Sequence, residues 1–196
     1  MIKEDNGKMF GKWKDEVSIL LYEDINKHIS KYVKKIDTVG DYGGANGLLG
    51  KSLKCKKYTV IDYDESKKDN NNFINDNIIT HKGEYDTVVL KLVLHYLKDI
   101  EIKRMLENIK AKNIIIVQFV NSGIDLKIKQ EISKDSNEKK KYFRTKTELL
   151  NILYDFKEVD KFDYIVTSDF YKNRLQIDTY LQHKETLLIL RKNNDN

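Results

Sequence analysis

With 196 residues and 40% hydrophobic content the chain carries enough apolar mass for one core, and its length fits a single domain over 1–196. Lys and Arg number 36 against 31 Asp and Glu, a formal charge of +5, which permits a polyanionic partner without requiring one. The one cysteine, Cys55, excludes a disulfide framework and thiolate metal sites. No apolar run approaches the roughly 18 residues of a membrane span, and the polar start Met1–Asn6 is not a signal peptide. These features predict a cytoplasmic protein with no metal and no membrane partner.

Residues 1–12 form a polar lead-in. From Trp13 to Lys35 Val17, Leu20, Leu21, Ile25, Ile29 and Val33 recur every three or four positions, the spacing of a helix with one apolar stripe. Phe10, Trp13 and Tyr22 are placed either to close over a ligand as a lid or simply to cover a sheet edge. Ile36–Asp41 then reads as a strand. The stretch Asp41-Tyr42-Gly43-Gly44-Ala45-Asn46-Gly47 follows as a tight turn, with a helix expected over Leu48–Leu53. An acid ends the strand two residues before the first loop glycine, which is not the Gly-x-Gly-x-x-Gly dinucleotide pattern. Gly43 is expected to present bare backbone to a ligand.

Tyr58–Asp62 is a second short strand ending in an acid, about twenty residues after the glycine turn, where nucleoside-binding α/β folds place the carboxylate that accepts from the ribose hydroxyls. Asp62 is the candidate and Asp64 its competitor. Asn72–Asn77 has the form of a third strand with a trailing acid, although Asn-Asp-Asn is also an ordinary turn signal. Glu84 to Lys91 gives a fourth strand. His95 is expected to begin the following helix, facing either a pocket or the sheet, and the helical pattern continues to Lys110 through Ile102, Met105, Leu106 and Ile109.

Asn113–Val120 is apolar nearly throughout, as a central parallel strand buried on both faces must be. Between Asp125 and Lys146 stand eight Lys/Arg against four acids, so most of the net charge lies in the basic insertion 121–146. That insertion is either a solvated loop or a surface for a phosphate-bearing substrate such as RNA. Thr145-Lys146-Thr147-Glu148 has the form of a capping box opening a helix. Asp160–Val166 and Thr186–Arg191 close the chain as two strands.

Three of these stretches, in order, resemble the class I, Rossmann-like S-adenosylmethionine-dependent methyltransferases. The glycine turn is similar to their Asp-x-Gly-x-Gly-x-Gly motif, departing from it at Ala45, which stands at the middle glycine. The acids at Asp62 and Asp76 follow in the family's order, and Glu84–Asp99, with its Leu-His-Tyr-Leu-Lys-Asp ending, looks like the fourth motif. The Pro-Gly-Gly turn usual before the fifth strand is replaced by Ile109–Lys112.

The resemblance implies an α/β/α sandwich with a seven-stranded, mostly parallel sheet whose last strand is antiparallel, preceded by an N-terminal helix or lid over 13–35. It further implies that S-adenosyl-L-methionine is the methyl donor, leaving S-adenosyl-L-homocysteine, and that the donor meets Asp41, Gly43, Gly44, Ala45, Gly47, Asp62, Tyr63, Asp76, Asn77, Lys91 and Leu92. Tyr63 would lie against the adenine, Asp76 and Asn77 would meet its amino group and ring, and Lys91 and His95 would stand on the substrate side. Without proline the chain cannot carry an Asn/Asp-Pro-Pro-aromatic motif or a Pro-Cys nucleophile, and no acid follows Lys91 as a Lys-Asp-Lys-Glu ribose methyltransferase requires. A small metabolite, a nucleic-acid end or a protein side chain remain open as acceptor. Two rival classes stay beside methyl transfer. One is a catalytically silent module that binds the cofactor and regulates a partner; the other, a nicotinamide oxidoreductase, is disfavoured by the turn.

Overall fold

The computed structural model describes residues 25–45, 47–64, 72–120, 142–166 and 183–193, together with Glu23. The lead-in, the lid candidates Phe10, Trp13 and Tyr22, and the insertion from 121 to 141 lie outside the described residues. Seven strands form one sheet: β1 (Thr38–Tyr42), β2 (Lys57–Asp62), β3 (Phe73–Asn75), β4 (Glu84–Lys91), β5 (Lys110–Val120), β6 (Lys157–Val166) and β7 (His183–Asn193). Their spatial order is β3-β2-β1-β4-β5-β7-β6. β1 to β5 pair in parallel, and β7 runs antiparallel between β5 and β6.

The strand alternation divides the core into two layers, because successive side chains of a strand point to opposite faces. On one face Leu90, Ile114, Ile116, Leu188 and Leu190 pack with Ile102 and Met105 of α1 (Asp99–Asn108) and with Leu149 and Ile152 of α2 (Lys146–Ile152). On the other face Val39, Val60, Val89, Ile115 and Val117 pack against Ile25 and Ile29, which project from the helical residues 25–30, and against Leu49. This is the expected α/β/α sandwich. Among the described residues no helix is long and apolar enough to cross a membrane.

Two local expectations are corrected. Leu48–Leu53 is not a helix but a single 3-10 turn over Leu48–Lys51, entered through Gly47 in the left-handed region at φ 69°. Gly50 lies so close to the Tyr58 ring that a Cβ there would stand 2.6 Å from it, and Leu48 is solvent-exposed rather than part of a stripe. His95 does not begin a helix either. It sits in a 3-10 turn, Leu94–Tyr96, while α1 starts at Asp99. The buried Arg144 donates to the carbonyls of Leu94 at 2.9 Å and Leu97 at 2.6 Å, and the Leu94 oxygen accepts as well from Leu97 N–H at 3.1 Å, which closes the short turn. The capping box at Thr145 is formed as read, with Glu148 N–H donating to Thr145 Oγ1 at 3.2 Å and Thr145 N–H to Glu148 Oε2 at 2.8 Å.

Candidate functional site

The carboxyl ends of β1, β2, β3 and β4 lie side by side, and all the sequence-predicted site residues fall on or just past them. At the end of β1, Asp41 is buried, with 1% of its surface exposed. The Tyr58 hydroxyl donates to Asp41 Oδ2, whereas Oδ1 accepts no hydrogen bond among the described residues. Burial pushes the Asp41 carboxyl up from its ordinary value, with the Lys91 ammonium pulling the other way. Lys91, at the end of β4, is itself pushed down by burial and held up by Asp41. Its Nζ donates to Asn26 Oδ1 at 3.4 Å, and Asn26 Nδ2 in turn donates to Ser52 Oγ at 3.2 Å. The helical residues 25–30 are thereby fastened over the acid.

The turn after β1 is shaped by its backbone. Gly43 has φ 73°, Ala45 φ 50° and Gly47 φ 69°, so left-handed residues alternate along it. Gly43 N–H donates to the Ile61 carbonyl of β2 at 2.7 Å. A Cβ at Gly43 would come within 2.6 Å of Val93 Cγ2, and one at Gly44 within 2.5 Å of Asp41 Oδ2. Gly44 therefore lets the turn fold down on the Asp41 carboxylate. Asn46 lies outside the described residues.

Asp62 ends β2 and is buried. It accepts from Ala45 N–H through Oδ2 and from Asp64 N–H through Oδ1, both at 3.1 Å. Its carbonyl accepts from Asp76 N–H at 3.2 Å. Tyr63, the next residue, is 60% exposed. Beyond β3, Asp76 takes Asn77 N–H on Oδ1 and His81 Nδ1 on Oδ2, each at 2.7 Å. Past β4, Leu92 adopts φ 56° and donates its N–H to the Val117 carbonyl at 2.8 Å. His95 packs its ring 4.0 Å from that of Tyr96, and its Nδ1 lies 3.4 Å from Nε2 of the buried Gln118.

Four residues of this region escaped the sequence reading: Tyr58, Asn26, His81 and Gln118. Only Tyr58 carried a usable signal, since Tyr58, Val60 and Asp62 share one face of β2 by period-two spacing. A separate cleft of ≈ 270 Å³, lined by Tyr32, Lys34, Asp37, Asp86 and Arg191 among others, sits at the opposite ends of the strands. Lys112 there donates to Asp86 at 3.0 Å, and Arg191 donates to Asn113 at 2.8 Å with its guanidinium over the Tyr32 ring.

No family model matches the chain, and no curated protein matches it in sequence. Solved structures do match. A SAM-dependent methyltransferase from Archaeoglobus fulgidus aligns at a TM-score of 0.58 with 16% identity, over 88% of this chain and 93% of that one. Magnesium protoporphyrin IX methyltransferase from Synechocystis, solved with bound S-adenosyl-L-homocysteine, aligns at 0.58 with 14% identity over 95% of both chains. The N-methyltransferase NodS from Bradyrhizobium japonicum, in complex with the same product, aligns at 0.60 with 15% identity over 92% of this chain and 90% of that one. The fold is that of the class I, Rossmann-like methyltransferases, and a fold by itself leaves chemistry to be argued from the site.

Proposed function

We propose that the protein binds S-adenosyl-L-methionine at the ends of β1 to β4 and transfers its methyl group to a nucleophile that approaches over the ends of β4 and β5. One observation carries this reading: a buried carboxylate oxygen, Asp41 Oδ1, without a partner among the described residues, lies under a glycine turn whose Ala45 N–H is tied to the second acid, Asp62. An unpaired buried acceptor costs free energy unless a ligand or water supplies a donor. The amino-acid end of the cofactor carries such a donor, an ammonium.

The other residues fit the same group. Each Asp62 oxygen has one backbone donor, so each keeps a lone pair for a ribose hydroxyl. Tyr63 offers an exposed ring beside it. Ala45, in the left-handed region, carries its one methyl where a glycine would carry none.

When bound, the sulfonium supplies an already activated methyl, so the chain has to position rather than activate. Asp41 would hold the amino-acid end of the donor and Asp62 its ribose. Lys91, linked to Asn26, holds the helical residues 25–30 against the site and counters the Asp41 charge. His95 and Gln118 line the side from which the acceptor comes. Nothing in this arrangement requires a covalent enzyme intermediate.

Calorimetry with S-adenosyl-L-methionine, S-adenosyl-L-homocysteine and NAD tests the binding half. We expect the first two to bind and NAD not to, whereas binding of NAD alone would overturn the reading. Transfer of labelled methyl to cell-extract fractions tests turnover and separates an enzyme from a binding module.

A further inference from the structure

We infer that His81, braced by Tyr85, is a positioning residue that aims the Asp76 carboxylate at the exocyclic amino group of the bound nucleobase and so makes the site selective for adenine over a purine with an oxo group at that position. The inference rests on the cofactor reading above and adds to it a residue outside all three sequence motifs.

The chain from 77 to 81 doubles back on itself. Thr80 N–H and His81 N–H both donate to the Asn77 carbonyl, at 3.0 and 2.9 Å, and Ile79 N–H donates to Asn77 Oδ1 at 3.0 Å. This brings the His81 ring beneath Asp76. The imidazole is buried, while the Asp76 side chain keeps 44% of its surface open. Asp76 is thus fixed from its inner side and accessible from the outer one.

The tautomer follows from the partners. An ionised carboxylate only accepts, so the 2.7 Å contact places the proton on His81 Nδ1. In the neutral ring Nε2 then accepts from the Tyr85 hydroxyl, 3.2 Å away. The Tyr42 ring stands edge-on to the imidazole at 5.5 Å and limits its rotation. The hydrogen bond from His81 also holds the Asp76 carboxyl below the usual carboxylate range, which keeps it an acceptor.

With Oδ1 on Asn77 N–H and Oδ2 on His81, rotation of the carboxylate about its own bond is blocked, and each oxygen retains a lone pair. An amino group donates to such a lone pair. An oxo group at the same place opposes lone pair to lone pair, and a site built around a donor rejects the analogue that lacks it. Without His81 the carboxylate can turn away, and the rejection weakens.

The test compares dissociation constants of S-adenosyl-L-homocysteine and S-inosyl-L-homocysteine. The parent should prefer the adenine compound by at least about tenfold. His81→Leu should lower that preference to about threefold or less, and His81→Asn, whose amide nitrogen stands near the place of Nδ1, should restore most of it. Tyr85→Phe, which removes one hydroxyl, should lower it about threefold and carries the test should the leucine variant fail to fold. A parent that binds neither compound removes the cofactor reading and this inference with it. A parent that binds both equally, or variants that keep the parent's ratio, overturn the role of His81 alone.

Discussion

Ala45 and Asp62, 17 residues apart, are joined by a 3.1 Å hydrogen bond from the alanine N–H to the aspartate Oδ2. The carboxylate proposed to take the ribose therefore also holds the glycine turn in shape. Asp62→Ala should weaken binding of S-adenosyl-L-methionine by about 1.5–3 kcal/mol, the range for hydrogen bonds to a charged group. Asp62→Asn, which keeps one acceptor oxygen, should lose less. Calorimetric titration reads both, and unchanged affinity in the alanine variant would move the ribose role to Asp64.

A Cβ added at Gly43 would meet Val93 Cγ2 at 2.6 Å, so a β-branched substitution there disturbs the fold as well as the site. Gly43→Ala should cost about 1 kcal/mol for the left-handed backbone and about 1–3 kcal/mol more for overpacking against Val93. Val93→Ala in the same chain should return part of the second amount. A double-mutant cycle by urea unfolding with additive losses would show that the two side chains do not meet.

The sequence made the strands β1 to β5 and the acids Asp41 and Asp62 legible because each strand is a short apolar run, and these two acids directly end theirs. What stayed hidden depends on register. Tyr58 reaches Asp41 only because Asp41 lies opposite Val60 in the β1–β2 pairing, and Asn26 reaches Lys91 across 65 positions. Leu48-Leu49 imitated a helix start, yet the close approach of Gly50 to the Tyr58 ring leaves only a 3-10 turn. His81 lay in a stretch with no periodic signal, and its role emerges only once the 77–81 turn brings it to Asp76.

Asp86, in β4, accepts from Thr38 N–H and Thr38 Oγ1, both at 2.9 Å, and from Lys112 at 3.0 Å. The Thr38 backbone N–H, then Lys112 and the Thr38 hydroxyl, hold its carboxyl down from 3.8 to about 2. A carboxyl with a depressed folded-state pKa stabilises the protein fully above its unfolded value, and that contribution is lost as pH falls through the folded value. Asp86→Asn should therefore cost about 1.5 kcal/mol at neutral pH, the low end of the range because Asp86 is partly solvated. The gap between variant and parent should close as pH drops from about 4 to about 2. Urea midpoints measured across that window check it, and a gap that is constant with pH would assign the loss to packing instead.

Arg144 is the residue that ties the segment leading into α2 to the turn carrying His95. Its guanidinium donates to the carbonyls of Leu94, Leu97 and Tyr142 and to Asp99 Oδ1, the last at 2.7 Å from Nη2, while Tyr142 N–H donates to the His95 carbonyl at 2.7 Å. A planar fork spreads five N–H donors over separated carbonyls, whereas a lysine ammonium carries three donors at a single nitrogen and cannot span them all. Arg144→Lys should therefore cost about 3 kcal/mol, since buried carbonyls lose their donors despite the retained charge. It should also loosen the turn that sets His95 beside Gln118, so methyl transfer should fall more than cofactor affinity does. Thermal unfolding together with separate measurements of cofactor binding and turnover distinguishes these effects. A lysine variant as stable as the parent would show that the turn holds itself without the guanidinium.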